Sequence, residues 1–219
     1  MKNTDFKIIA IDGGAASGKS STSKGVSKAL NYMHVDTGSH YRSITLALIN
    51  AGISPGDKAD IIMSTKALTL ETEISGVSAN LKVNGSVPDD AAIRSPEVNG
   101  NVSLFAAIPE IRASLLDYQK KQAQVAQEKG FNGLIMEGRD ICSVIFPKAN
   151  LKVFLHADEE ARRLRRANDG LQDSIAKRDE IDSKRKIAPL IYTEDSVKID
   201  TGLLSLQEVI DKVCELATS

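Results

Sequence analysis

The chain has 219 residues, 42% of them hydrophobic and 26% charged, which suits one sizeable core and excludes a disordered or fibrous protein. Lys and Arg number 28 against 29 acidic residues, a net charge of −1, so broad polyanion binding is not expected and any phosphate site must be local. The two cysteines, Cys142 and Cys214, have no disulfide or metal-ligand spacing, and no apolar run approaches the ~18 residues of a membrane span; the expectation is a cytoplasmic chain, neither exported nor embedded.

In chain order, Lys7 to Asp12 is a β-branched run of the kind buried on both faces of a parallel sheet. Small polar residues follow from Gly13, and a helix is predicted from Ser20 to Leu30, where Val26, Ala29 and Leu30 recur among Lys and Ser. Met33 to Val35 reads as a second strand, followed by a helix from about Ser39 to Asn50 that stops before Gly52 and Pro55. The order βαβα points to an α/β fold with a parallel sheet. From Gly56 to about Ala107 the pattern alternates over Leu68–Ile74 and Ala79–Val83, with Asn84-Gly85 as a turn, predicting a small antiparallel insertion. A helix is expected after Pro109, up to Gly130, then buried strands at Gly133–Met136 and Leu151–Leu155. Polar helices are predicted at Asp158–Arg166, broken at Asn168-Asp169-Gly170, and at Gln172–Lys186, ending before Pro189. Val197–Asp200 reads as the last strand, and Ser205 with Glu208 as the capping box of a final helix.

Gly13-Gly14-Ala15-Ala16-Ser17-Gly18-Lys19-Ser20 satisfies GxxxxGK[ST], placed between a predicted buried strand and a helix. Small residues let the backbone curl so that successive N–H groups face phosphate oxygens, and the helix start adds its partial positive charge. Lys19 would then reach the β and γ phosphates of a nucleoside triphosphate, and the Ser20 hydroxyl would ligate Mg²⁺. No NKxD or LSGGQ motif accompanies the loop. Instead the chain is rich in arginine beyond its strand ends, including Arg42, Arg94, Arg112, Arg139, Arg162, Arg163, Arg165, Arg166, Arg178 and Arg185. A kinase needs such planar, permanently protonated donors to neutralise two phosphate-bearing substrates.

At ~100° per residue, Arg162, Arg163, Arg165 and Arg166 span an arc of about 160° on one helix, too crowded to pair with Asp158 and Glu159 alone. Either an anion faces them or they form a solvated basic surface. Arg178, Asp182 and Arg185, spaced i, i+4, i+7, fall within an arc of about 60°, and by spacing alone they fit either a surface salt-bridge ladder or a phosphate clamp.

Ordered blocks along nearly the whole chain resemble the bacterial-type cytidylate kinases: IDGGAASGKSS at 11–21, DTGSHYR at 36–42, VNG at 83–85, IRSPEV at 93–98, AAIPEIR at 106–112, EGRDICSVIFPKANLKVFL at 137–155, EEARRLRR at 159–166, KRDEIDSKRKIAPL at 177–190 and IDTGLLSLQEVI at 199–210. The resemblance implies a P-loop NTPase fold whose central parallel sheet is flanked by helices, with a small β-containing monophosphate-binding insertion and a helical lid. The implied division is a core of 1–55, 107–156 and 187–219, an insertion of 56–106 and a lid of 157–186. The implied activity is γ-phosphoryl transfer from ATP, with Mg²⁺, to CMP or dCMP; a monomer is expected, and the composition gives no expectation of nucleic-acid or membrane partners. The alternatives are a P-loop kinase for another acceptor such as UMP, and a non-catalytic nucleotide switch.

The resemblance also implies site roles. Gly13, Gly14, Ala15, Ala16, Ser17, Gly18, Lys19, Ser20 and Ser21, with Arg162 and Arg166 from the lid, would bind ATP, and Ser20 would hold the metal. Asp36, Thr37, Tyr41, Arg42, Ser103, Arg112, Arg139, Asp140, Arg178, Asp182 and Arg185 would bind CMP. In that set Thr37 serves as a hydroxyl donor and Ser103, Arg112 and Asp140 read the base. Lys19, Arg139, Arg178 and Arg185 would act on the transferring phosphoryl group, and Glu137 is a candidate for a metal-bound water. This chain departs from the family pattern at Gly14, usually Pro, at Cys142, usually Gly and expected to add bulk near the acceptor pocket, and in the short connection from Arg166 to Arg178.

Overall fold

The computed structural model describes residues 6–168 and 175–219. β1 (Lys7–Gly13) runs parallel to β5 (Gly133–Gly138) on one side and to β6 (Leu151–His156) on the other. β2 (Tyr32–Asp36) lies beside β5, and β7 (Val197–Asp200) lies beside β6, both parallel. Ile9, Ala10, Ile11, Leu134, Ile135 and Met136 are fully buried, which explains why these strands read as continuous apolar runs: both faces of the sheet are covered.

One face packs against α1 (Lys19–Leu30) and α9 (Leu206–Thr218), with Ile9, Ile11, Ile135 and Leu155 meeting Val26, Val209 and Val213. The other face sets Ala10, Met33, Val35, Leu134 and Met136 against α6 (Pro109–Glu128) at Ala126. α9 opens with the expected capping box, in which Ser205 Oγ accepts from the Glu208 N–H and the Glu208 carboxylate accepts from the Ser205 N–H at 2.7 Å. α2 (Thr37–Asn50) begins directly at the end of β2, where the Asp36 carboxylate accepts from the Ser39 N–H at 3.2 Å.

The alternating segment forms the antiparallel hairpin of β3 (Leu70–Ser75) and β4 (Ser78–Val83), in register from Leu70↔Val83 to Ser75↔Ser78. Its second strand also pairs parallel with β2 through His34↔Ser78, giving the sheet order β3-β4-β2-β5-β1-β6-β7. The insertion therefore extends the central sheet. Helices not expected from the sequence surround the hairpin: α3 (Lys58–Ala67), α4 (Asp90–Ile93) and α5 (Pro96–Ala106). α3 buries only Ile61 and Thr65, so its apolar period is weak. α5 does carry start signals, a Ser95 hydroxyl that accepts from the Val98 N–H and Pro96 in the first turn.

α7 (Glu159–Asn168) and α8 (Ile175–Lys184) take the predicted charged segments. The predicted break at Asp169-Gly170 and the helix start at Gln172 lie outside the described residues. No described helix is long and apolar enough to cross a membrane.

The parallel strands deliver β1, β2 and β5 to one edge of the sheet by their carboxyl ends, where open α/β sheets place ligands. β1 leads into the glycine-rich loop, β2 into Thr37, and β5 into Arg139 and Asp140.

Candidate active site

The phosphate loop is built by local necessity. A Cβ on Gly13 would stand 2.2 Å from the Leu155 carbonyl oxygen of the neighbouring strand, so the chain leaves β1 only through a residue without a side chain. Gly18 caps α1 in the left-handed region, at φ 86°, turning the loop back over the start of the helix. Lys19 is 8% exposed, and its Nζ donates to the Gly14 carbonyl at 2.6 Å and approaches Ser17 Oγ at 3.4 Å. Burial, followed by the nearby Arg139 cation, pushes its ammonium down to about 7, while Glu137, Asp179 and Asp36 act in the opposite sense. The Ser20 hydroxyl donates to Glu137 Oε2 at 2.9 Å.

α7 and α8 reach this loop through side chains that spacing alone did not select. Arg162 donates to the Ala15 carbonyl at 3.2 Å and pairs with Asp179, whose Oδ1 accepts from the Ala15 N–H at 2.9 Å. Arg165 donates to the Thr201 carbonyl at 2.6 Å and to Thr201 Oγ1 at 3.0 Å, and reaches the Ala16 carbonyl at 3.4 Å. Thr201 in turn donates to the Ser17 carbonyl at 3.1 Å. Of the four clustered arginines, Arg162 and Arg165 thus face the loop and Arg163 is exposed, while the Arg166 side chain lies outside the described residues. The missing ring at position 14 has a local consequence, since a Cβ on Gly14 would sit 2.9 Å from the Asp179 carboxylate and 3.0 Å from Arg162. This loop has room for the Arg162–Asp179 pair against its backbone.

Beside it lies a cavity lined by Thr37, Tyr41, Arg42, Ser103, Arg139, Asp140, Arg178, Asp182 and Arg185, residues drawn from α2, α5, the β5 end and the α8 region. Arg112 backs this wall. It pairs with Asp140, donates to the Ala106 carbonyl at 3.1 Å and stands 5.3 Å from the centre of the Tyr41 ring. The surface pairing with Glu110 or Asp117 that its helix position allows is therefore not what it makes. Asp182, 4% exposed, accepts from Arg139 Nε at 3.0 Å and lies 3.6 Å from Arg185 Nη1. That burial excludes the solvated ladder. Burial also lowers the Arg185 guanidinium below its usual range, countered chiefly by Asp182. Arg42 Nη1 donates to Asn99 Oδ1 at 2.7 Å and to the Ile93 carbonyl at 3.0 Å.

Three expected placements differ. Asp36 caps α2 and lines the neighbouring cavity with His34 and Arg94 instead of the one described above. Thr37, expected as a donor to the ligand, gives its proton to the Glu137 carbonyl at 2.7 Å, which leaves its oxygen to accept. Cys142 does not add bulk to the acceptor pocket. Its Sγ lies 3.5 Å from the Ala10 carbonyl, within the core between sheet and α6, and burial pushes the thiol well up. The cause is Asp12, whose carboxylate accepts from the Ile141 and Cys142 N–H groups at 3.0 and 2.8 Å and starts a π-turn over Ile141–Ile145. Burial raises Asp12 to about 6 despite those two donors. Asp12 thereby fixes the segment that carries Arg139 and Asp140. Only its strand-terminal position marks Asp12 in the sequence, Asp179 has no mark beyond lying in a charged helix, and Arg165 is one of four arginines on a broad arc.

The family model for cytidylate kinase matches residues 9–219. The chain is similar to the cytidylate kinase of Streptomyces avermitilis, 38% identical over 217 residues that cover 95% of this chain and 91% of that one. It is likewise similar to the cytidylate kinase of Clostridium botulinum, 39% identical over 219 residues that cover 95% and 96%. Among solved structures, a sugar kinase from Janibacter has the same fold at a TM-score of 0.50, with 11% identity over 97% of this chain and 95% of that one.

Proposed function

The chain belongs to the cytidylate kinase family, and from that premise we propose that it transfers the γ-phosphoryl group of ATP to CMP or dCMP, giving ADP and CDP or dCDP. The observation that carries the choice of acceptor is the buried Arg112–Asp140 pair at the wall of the arginine-lined cavity. Cytosine offers an N4 amino donor beside the N3 and O2 acceptors, so a carboxylate accepting from N4 and a guanidinium donating to the ring acceptors favour it over uracil, whose O4 only accepts. The comparisons favour neither a UMP kinase nor a nucleotide switch.

In this reading the loop from Gly13 to Ser21 cradles the ATP phosphates and Lys19 meets the β and γ groups. Arg139, Arg178 and Arg185 surround the transferring group, with Asp182 orienting two of them and meeting the acceptor ribose. Arg42 binds the acceptor phosphate, and Ser103 and Tyr41 complete the base pocket. A phosphate monoester dianion is already nucleophilic, so no protein base or covalent intermediate is required. Residues 56–106 then form the acceptor-binding part and 157–186 the lid, supported by Ser103 at the cavity and by the Arg162 and Arg165 contacts to the loop.

The donor set suits Mg²⁺. Ser20 presents a hard oxygen whose proton is already turned to Glu137, and no group of three His, Cys, Asp or Glu among the described residues forms a protein cage. An ion held chiefly by nucleotide oxygens and water, with Ser20, fits this arrangement. When bound, it would supply positive charge to offset that developing on the transferring phosphate. The balanced composition supports small-molecule substrates without a polyanion or membrane-surface partner, and a cytoplasmic monomer is the form we assign.

ADP release measured across CMP, dCMP, UMP, AMP and GMP tests the acceptor. CMP and dCMP should turn over fastest. Asp140→Asn supplies an amide donor toward uracil O4, so the CMP-to-UMP ratio of kcat/KM should narrow by about tenfold or more. An unchanged ratio in a folded variant removes Asp140 from base reading. Melting is followed in parallel, because the substitution weakens the buried Arg112 pair.

A second expectation concerns protons. With Lys19 lowered to about 7 before binding, arriving phosphates should raise it again, so ATP binding at pH 8 takes up a proton and affinity falls as pH rises above 7. Calorimetry in buffers of different ionisation enthalpy reads the uptake, which should vanish in Lys19→Met. Equal uptake in both proteins would place the titrating group elsewhere.

A further inference from the structure

His34 lies in the middle of β2, with its ring on the sheet face beside Glu137 of β5. Both side chains are buried, 3% and 2% exposed, and His34 Nε2 lies 2.7 Å from Glu137 Oε1. The other carboxylate oxygen accepts from the Ser20 hydroxyl at 2.9 Å. A continuous line of side chains therefore runs from β2 through β5 to the first turn of α1. We propose that His34 is a positioning residue for phosphoryl transfer, acting through the Glu137 carboxylate on the orientation of the Ser20 hydroxyl. The proposal rests on the reading that Ser20 serves the metal ion of the nucleotide.

Hydrogen-bond capacity divides the roles along this line. A serine hydroxyl has one proton and two lone pairs, and a metal ligand must present a lone pair with its proton turned away. Glu137 takes that proton, so the lone pairs of Ser20 are left for the ligand side. A carboxylate held at one oxygen alone can rotate and swing. Glu137 has a competing attraction close by, because its charge acts on Lys19, whose ammonium has to serve phosphate. With Nε2–H of His34 on Oε1, both oxygens of Glu137 are engaged and its plane is fixed. Outer partners of this kind typically govern metal affinity or activity by ~10- to 100-fold.

The imidazole is itself well anchored. The His34 N–H donates to the Val77 carbonyl at 2.7 Å, and His34 is the β2 residue that pairs with Ser78 of β4. The ring thus sits where the acceptor-side hairpin joins the core, a placement that a merely space-filling residue would not need to link to the phosphate loop.

The test compares His34→Phe, which keeps ring bulk without the donor, with His34→Gln, whose amide nitrogen reproduces the position of Nε2. Calorimetry gives the ratio of ATP affinity with and without Mg²⁺, and kinetics gives kcat and the KM for CMP. His34→Phe should lose about tenfold of the Mg²⁺-dependent gain in ATP affinity and ~10- to 100-fold in kcat, with the KM for CMP within twofold. His34→Gln should recover most of both. Adding His34→Phe to Glu137→Gln should lower kcat no further than Glu137→Gln alone. A folded His34→Phe with an unchanged Mg²⁺ gain and kcat overturns the proposal, as does multiplication of the two effects or a His34→Gln as impaired as His34→Phe. Should His34→Phe not fold, His34→Asn replaces it, because its shorter amide leaves Oε1 without a donor, and the same outcomes apply. If the wild-type protein formed no CDP, the activity reading would fail while the Mg²⁺-dependent ATP affinities still decided the role of His34.

Discussion

Lys19→Ala should lower CMP-dependent ADP formation by about 10³-fold, about 4 kcal/mol of transition-state stabilisation, while leaving melting within a few degrees. The two halves of this expectation come from the same observation. Lys19 is buried against the Gly14 carbonyl, and burial already depresses its ammonium to about 7. Its charge is therefore costly to the empty fold, and removing it relieves a desolvation penalty as it loses a hydrogen bond. With phosphates present the balance reverses, because the ammonium then meets the charge that spreads over the transferring group. A folded variant within tenfold of wild-type turnover would remove Lys19 from the reaction.

Arg178→Lys should collapse kcat by a similar ~10³-fold under saturating ATP and CMP, again with normal melting. The competing view of Arg178 is half of an exposed helical pair, for which the loss would be ~0.3 to 0.5 kcal/mol of stability and nothing in rate. The structure already weakens that view. Arg178 lines the cavity beside the loop with Asp182 and Arg185, and Asp182 is buried between Arg139 and Arg185. Lysine keeps the charge and the helix propensity but presents no planar fork, so a bidentate role and a point-charge role separate cleanly in this variant. A fall in kcat of less than threefold would withdraw Arg178 from the transferring phosphate.

What could be read in the sequence follows from the range of each interaction. The phosphate loop is legible because its requirements are local: a buried strand, small residues, then Lys19 and Ser20 at a helix start. The strands of the sheet are legible for a similar reason, since burial on both faces leaves an unbroken apolar run. β3 and β4 are readable as a hairpin from their alternation, yet nothing local says that β4 also pairs with β2, a contact between residues far apart in the chain.

The site shows the same division. The cavity beside the loop gathers Thr37, Arg42, Ser103, Asp140 and Asp182, residues that the resemblance groups together. Helical angles confine the four α7 arginines to a broad arc but give no direction to the loop, so nothing sets Arg165 apart from Arg163. Asp179 was hidden because its partners, the Ala15 N–H and Arg162, lie on other elements. Asp12 shows how such distant contacts mislead a reading by position. Proximity to Asp140 put Cys142 near the pocket, whereas two N–H groups drawn to Asp12 turn its thiol into the core.

Transfer of phosphate from ATP to a cytidine monophosphate must carry the γ-phosphate into CDP. Incubation with ATP labelled in the γ-phosphate, with and without CMP, and separation of the products tests it most directly. Label should appear in CDP in step with ADP, and ADP formation should be negligible without CMP. Label released as inorganic phosphate at a rate indifferent to CMP would contradict it.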